Sequence, residues 1–254
     1  MFIRHLTTLQ SFDRNNMLES IELLIIWNDS LEGKMKSFSD EWEKIHSTRG
    51  WGQYPSEPII RFVARNFYNK NRSEIKILDF GCGQGAHTWY LAREGFDTFA
   101  FDGSHSAVEK AKKYLEAENL KADFRVMDGV NLEYPNSFFD AVIDNVTICH
   151  NQIDNIQLMY KNVFRVLKKG GKLFTSSFST DTSGYGSGKE IEKGTFFNVE
   201  YGPLKDKGNV HFWTQNDFFD IVKYAGFKNI KIDKNNYSDT GNVIDLLILT
   251  AEKT

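Results

Sequence analysis

The residues with the clearest chemical promise are Asp79-Phe80-Gly81-Cys82-Gly83-Gln84-Gly85, set between an alternating apolar run and a helical pattern. Glycines at such a turn let the backbone reverse tightly and approach a ligand that a side chain would block. The helix that follows offers unpaired N–H groups and the positive end of its dipole. A glycine triplet alone is also what a ligand-free turn needs. The context favours binding, because Phe101-Asp102-Gly103-Ser104 ends the next strand pattern with an acid. A carboxylate at that place accepts both hydroxyls of a ribose.

The spacing leaves the ligand open at first. A dinucleotide fingerprint reads G-x-G-x-x-G and tolerates alanine in the last slot, and Ala86 stands there. Asp79, just before the first glycine, would repel a pyrophosphate but not a cationic amino acid. Asp128-Gly129 closes the third strand pattern, within reach of an adenine amino group. Together these acids point to a cationic adenosyl compound, with a nicotinamide dinucleotide as the alternative.

Further candidates follow the fourth strand pattern in Asp144-Asn145-Val146-Thr147-Ile148-Cys149-His150. In open parallel sheets this end of a strand faces the ligand crevice. His150 there is either a general base or a packed histidine. Cys149 reads as a small buried residue rather than a nucleophile. Trp42, Trp51 and Tyr54 either close over the ligand from the N-terminal side or simply pack. His211 reads as packed, Thr214 as a helix N-cap, and Lys110, Lys112 and Lys113 as a solvated helix face.

Strand and helix patterns alternate around these residues. Strands are expected at 75–80, 98–102, 122–127, 139–144 and 172–177, and helices at 87–94, 107–118 and 156–167. Alternation of this kind implies right-handed crossovers and a parallel sheet covered on both faces. Upstream, Leu18, Ile21, Ile25 and Leu31 suggest an amphipathic helix in an extension over 1–37. A short helix at 38–45 and one at 58–67, opened by Pro58, begin the main domain at 38–254. Residues 178–210, rich in Ser, Gly, Thr and Lys, break the rhythm and read as a lid inserted beside the acceptor site. A helix at 215–224 and strands near 227–233 and 243–250 close the fold.

Composition narrows the class. The 254 residues are 41% hydrophobic, enough for a sizeable core. Thirty-one basic against 34 acidic residues give a net charge of -3, without the basic excess of a duplex-binding protein. The two cysteines, Cys82 and Cys149, have no metal-site or disulfide spacing. The apolar run at 21–27 is too short to span a membrane, so a reduced, cytoplasmic, soluble protein with no metal is expected.

The chain resembles the class I S-adenosylmethionine-dependent methyltransferases over roughly residues 40–254. The likeness rests on Ile77-Leu-Asp-Phe-Gly-Cys-Gly-Gln-Gly-Ala86, Phe101-Asp-Gly-Ser104, Val126-Met-Asp-Gly129, Phe139-Asp140 and Val166-Leu-Lys-Lys-Gly-Gly-Lys-Leu173. Tyr90-Leu-Ala-Arg-Glu-Gly-Phe-Asp97 is most similar to the small-molecule branch. The resemblance implies a Rossmann-like, doubly wound, mostly parallel seven-stranded α/β sheet with an antiparallel last strand at 243–251. It implies S-adenosylmethionine as cofactor, with Gly81 and Gly83 at the methionine part and Asp102 at the ribose, and with Asp79, Cys82, Gly85, Gly103 and Ser104 among the cofactor-binding residues. Asp128 falls to adenine, with Gly129 beside it among the cofactor-binding residues, and Asn145 to the mouth of the site. Methyl transfer to a small molecule is the expected activity, with His150 as base and Trp51 and Tyr54 over the cofactor. A methyltransferase-like binding subunit, assembled through the N-terminal extension, is the non-catalytic alternative.

Overall fold

The computed structural model describes residues 36–254. The expected extension, including the helix around Leu18–Leu31, lies outside these residues apart from Lys36 and Ser37. The described chain runs through helices α1 (Asp40–Thr48) and α2 (Glu57–Phe67) and strand β1 (Lys76–Phe80). It continues α3 (Ala86–Arg93), β2 (Asp97–Asp102), α4 (His105–Glu116), β3 (Asp123–Val126), β4 (Phe139–Asn145), α5 (Ile153–Val166) and β5 (Leu167–Phe178). Short strands β6 (Lys189–Glu192), β7 (Thr195–Phe197) and β8 (Asn209–His211) come next, then α6 (Gln215–Tyr224), β9 (Lys228–Asp239) and β10 (Asn242–Glu252).

Seven strands form one sheet in the order β3-β2-β1-β4-β5-β10-β9. β1 to β5 are parallel, and β10 runs antiparallel between β5 and β9. This is the expected doubly wound sheet with its reversed last strand. The chain order turns round between β1 and β4, and the crevice at that switch point is where such sheets bind ligands.

Period-two alternation divides the sheet between two cores. Val142 of β4 and Leu247 and Leu249 of β10 face one side, with Met159, Tyr160 and Val163 of α5 and Phe218 of α6. Ala141, Ile143 and Ile248 face the other, against Ile59, Phe62, Val63 and Phe67 of α2 and Leu91 of α3. Their neighbours Val142 and Leu247 are as fully buried as they are, so these strands read as near-continuous apolar runs. Such burial contributes about 25 cal/mol per Å² of apolar surface and sets the crevice on a rigid base.

Residues 178–210 hold structure that their composition conceals. β6, β7 and β8 form a separate antiparallel sheet, with Phe196, Val199, Leu204 and Val210 packed on Phe178 and Ile244. Strands of three or four residues are too short to show alternation, and left-handed glycines such as Gly188 and Gly194 carry the turns. Thr214 caps α6 by accepting from the Asp217 N–H, as expected. Ser39 precedes α1 but makes no such bond, its hydroxyl going to the Glu41 carboxylate. No described helix is long and apolar enough to cross a membrane, and no described cluster of His, Cys, Asp or Glu is suited to a metal ion.

Candidate functional site

The glycine loop leaves β1 and is pinned to the end of β2. The Cys82 N–H donates to the Phe101 carbonyl at 2.8 Å and the Gly83 N–H to Asp102 Oδ2 at 2.9 Å. Asp102 Oδ1 accepts the Ser104 N–H at 2.8 Å, so one carboxylate joins the loop to the start of α4. Each oxygen keeps a lone pair for a further donor. Burial raises the Asp102 pKa to about 6, against the opposing pull of these two N–H groups.

The three glycines have left-handed φ of +70, +52 and +91°, and they do different work. A Cβ on Gly81 would lie 2.2 Å from Thr147 Cγ2, and one on Gly85 2.8 Å from Ala111 Cβ. Those two glycines let the protein pack on itself. A Cβ on Gly83 would meet only His46 Cε1, at 3.6 Å, inside the cavity described below. Gly83 is therefore the one of the three with open space beside its Cα.

Two acids sit elsewhere than expected. Asp79 lies beneath the loop, 1% exposed, accepting the Thr88 hydroxyl at 2.6 Å, and burial lifts its pKa to about 7. It fixes α3 to β1 and is no full charge against a ligand. Asp128 holds the N-terminal segment. Its oxygens accept from the N–H groups of Ser37 (2.8 Å), Phe38 (3.0 Å) and Val130 (3.1 Å), and from the Ser37 hydroxyl. Phe38 thereby lies on Gly103, where a Cβ would be 2.1 Å from its ring.

That segment forms a wall of the site. Glu43 of α1 accepts from the Ser104 and Ser106 hydroxyls at the start of α4, and these bonds hold its pKa down. Lys110, expected on a solvated face, donates to the carbonyls of His46 and Arg49 at the end of α1. Gln84 completes the clasp. Its amide nitrogen reaches the Arg49 carbonyl at 3.0 Å and His46 Nδ1 at 3.4 Å, and its oxygen accepts the Trp51 N–H at 3.0 Å.

Trp42 lies at the centre of an aromatic group, 5.9 Å from His46, 5.8 Å from Trp51 and 4.8 Å from His150. His150 shares Nδ1 with the Asn209 carbonyl at 2.9 Å. A carbonyl only accepts, so Nδ1 carries the proton and Nε2 keeps its lone pair. Burial depresses the pKa of both His46 and His150 to about 4, leaving two neutral imidazoles at pH 7.

These elements enclose a cavity of about 290 Å³ that runs from Gly103 and Gly129 to the aromatic group. Of the expected residues, Gly81, Cys82, Gly83, Asp102 and Gly103 line it from the sheet side, joined by Gly129, Asn145 and His150. Trp51 and Tyr54 line it from the N-terminal side. Asp79, Gly85, Ser104 and Asp128 are off its wall and brace those that form it. His211 is packed, hydrogen-bonded to Thr195 and 4.1 Å from the Trp213 ring, and Cys149 is buried.

Sequence reasoning missed Phe38, His46, Ser56, Gln84 and Val146. His46 had a signal, because Trp42 and His46 are four apart and share a helix face. Ser56 lines the cavity, and its Oγ is buried with no partner among the described residues. Val146 takes φ +56°, a strained state for a β-branched residue, where β4 turns beside the cavity. No sequence pattern announces that strain.

Residues 77–171 match the family described as methyltransferase domain. A ubiquinone biosynthesis O-methyltransferase of Rickettsia akari is 31% identical over 132 residues, covering 52% of this chain and 51% of the relative. A phosphoethanolamine N-methyltransferase of Triticum aestivum is 26% identical over 201 residues, covering 66% and 39%. The chain thus spans about half, or less, of the length of these relatives. A SAM-dependent methyltransferase of Methanosarcina mazei has the same fold, with a TM-score of 0.64 at 23% identity, over 78% of this chain and 98% of that one. Glycine loop, sheet order and matched segment agree: residues 77–171 are similar to the methyltransferase domain, and the fold is that of a SAM-dependent methyltransferase.

Proposed function

We propose that the protein transfers a methyl group from S-adenosylmethionine to a small-molecule acceptor carrying a hydroxyl or amine. The observation that carries this reading is the continuous cavity, which joins the bare Gly83 to the unprotonated Nε2 of His150. Asp102 takes the ribose hydroxyls, Gly129 and Phe38 flank the adenine, and Ser56 and the start of α3 take the amino-acid end. When bound, the cofactor supplies an activated methyl, whose bond to sulfur breaks toward sulfur as the bond to the acceptor forms.

The chain's own residues then have two tasks. Trp42, Trp51 and Asn145 align the acceptor and exclude water, since alignment is the main demand of a displacement. His150 Nε2 takes the proton that an acceptor hydroxyl releases, with Nδ1–H steadied on Asn209. The test is incubation with S-adenosylmethionine and a panel of small hydroxyl and amine compounds. Accumulation of S-adenosylhomocysteine with one of them is expected. None with any, despite cofactor binding, would favour a binding subunit instead.

A further inference from the structure

The aromatic end of the cavity has neutral walls and a cationic rim. Arg49 and Lys207 both stand over the Trp51 ring, at 5.6 and 5.2 Å from its centroid. They come from distant parts of the chain, one just after α1 and the other just before β8. Among the described residues neither has an ion-pair partner. Glu41, an acid on this rim close to Gly208, bonds the Ser39 hydroxyl instead.

Lys207 is partly buried, and its pKa is lowered by desolvation and then by Arg49. Among the described residues, the charge that lowers it is that of another cation. Both stand over Trp51, which lines the cavity, and their charge is felt inside it. After burial, which dominates in each case, Lys207 depresses His150, and Lys110 and Arg49 depress His46. Two cations stacked on one ring, Lys207 half-buried and neither ion-paired among the described residues, repel each other until an anion joins them.

We infer that Arg49 and Lys207 bind an anionic group of the methyl acceptor, a carboxylate or a phosphate, while its body lies against Trp51 and Trp42. Arg49 offers a planar fork to two oxygens, and Lys207 offers a point charge. An acceptor held this way has its anionic end at the rim and its nucleophile directed inward, toward His150. This assignment rests on the methyl-transfer reading and names the class of acceptor within it.

The test uses the full chain saturated with S-adenosylhomocysteine, titrated calorimetrically with 4-hydroxybenzoate, phenyl phosphate and the neutral methyl 4-hydroxybenzoate. At least one anionic probe should bind about tenfold or more tightly than the neutral ester, as one well-placed charge-assisted contact allows. The tighter of the two identifies carboxylate or phosphate. Arg49→Met and Lys207→Met keep aliphatic bulk over Trp51 and should each erase most of that preference, leaving S-adenosylhomocysteine affinity unchanged. Equal binding of ester and anions, or an undiminished preference in both variants, overturns the assignment. Failure of the wild type to take up S-adenosylhomocysteine would instead strike the methyl-transfer reading.

Discussion

Replacing Gly83 and Gly81 by alanine, one at a time, separates a glycine kept for a ligand from one kept for packing. Both have left-handed φ, which costs an alanine about 1–2 kcal/mol. At Gly83 nothing else opposes the methyl group, whose nearest neighbour would be His46 Cε1 at 3.6 Å. Gly83→Ala should therefore fold, with a melting temperature lowered by about 2–8 °C at about 2–4 °C per kcal/mol. At Gly81 the methyl would sit 2.2, 2.4 and 2.7 Å from three Thr147 atoms. Overpacking of that kind adds about 1–3 kcal/mol, so Gly81→Ala should lose about 2–5 kcal/mol in all. Cofactor affinity should order the other way per unit of stability lost. In Gly83→Ala a displaced ligand costs about 1–3 kcal/mol, roughly tenfold to a hundredfold in affinity for S-adenosylhomocysteine. Thermal melts and calorimetric titration read the two effects. A Gly83→Ala protein that binds as the wild type does would refute the assignment of Gly83 to the ligand.

Four further outcomes are expected. His150→Gln should lower kcat for a hydroxyl acceptor by about 10²–10⁴-fold with KM for the cofactor little changed. Because the imidazole pKa is depressed to about 4, wild-type kcat should rise through about pH 4 and stay level from 6 to 8; an acid limb near 6.5 would contradict the buried, neutral His150. Gly103→Ala should displace Phe38 and speed proteolysis within 36–56, yet do much less in a Phe38→Ala background, as a coupled pair must. Asp79, with its pKa raised from 3.8 to about 7, binds its proton more tightly when folded, so its share of stability is full below pH 3.8 and lost as pH rises to 7. Asp79→Asn should remove that loss, gaining up to about 4 kcal/mol on the wild type between pH 4 and 8, and parallel pH–stability curves would count against it.

The sheet was legible because its signals are local. β1 is an apolar run followed by Gly81, β2 and β4 end in Asp102 and Asn145, and the alternation with helices dictates parallel pairing. Gly81, Gly83 and Asp102 followed from the same pattern. The N-terminal wall was not legible as such, because it is made by pairings 61 to 91 residues apart. Ser37 and Phe38 on Asp128, and Glu43 on Ser104, leave no mark at either end of the sequence. Asp128 illustrates the difficulty, since an acid after a strand has the same pattern whether it meets adenine or a backbone N–H. The small sheet at β6–β8 stayed hidden because its stability comes from Phe178 and Ile244 of the main sheet rather than from periodicity of its own.

The central claim is that this cavity takes an adenosyl cofactor through Gly83 and Asp102, and calorimetric titration of the wild-type chain with S-adenosylhomocysteine and with NADH tests it most directly. One equivalent of S-adenosylhomocysteine should bind with heat that disappears in Asp102→Ala, and NADH should give none. Heat with NADH and none with S-adenosylhomocysteine, or unchanged S-adenosylhomocysteine binding in Asp102→Ala, would contradict the account.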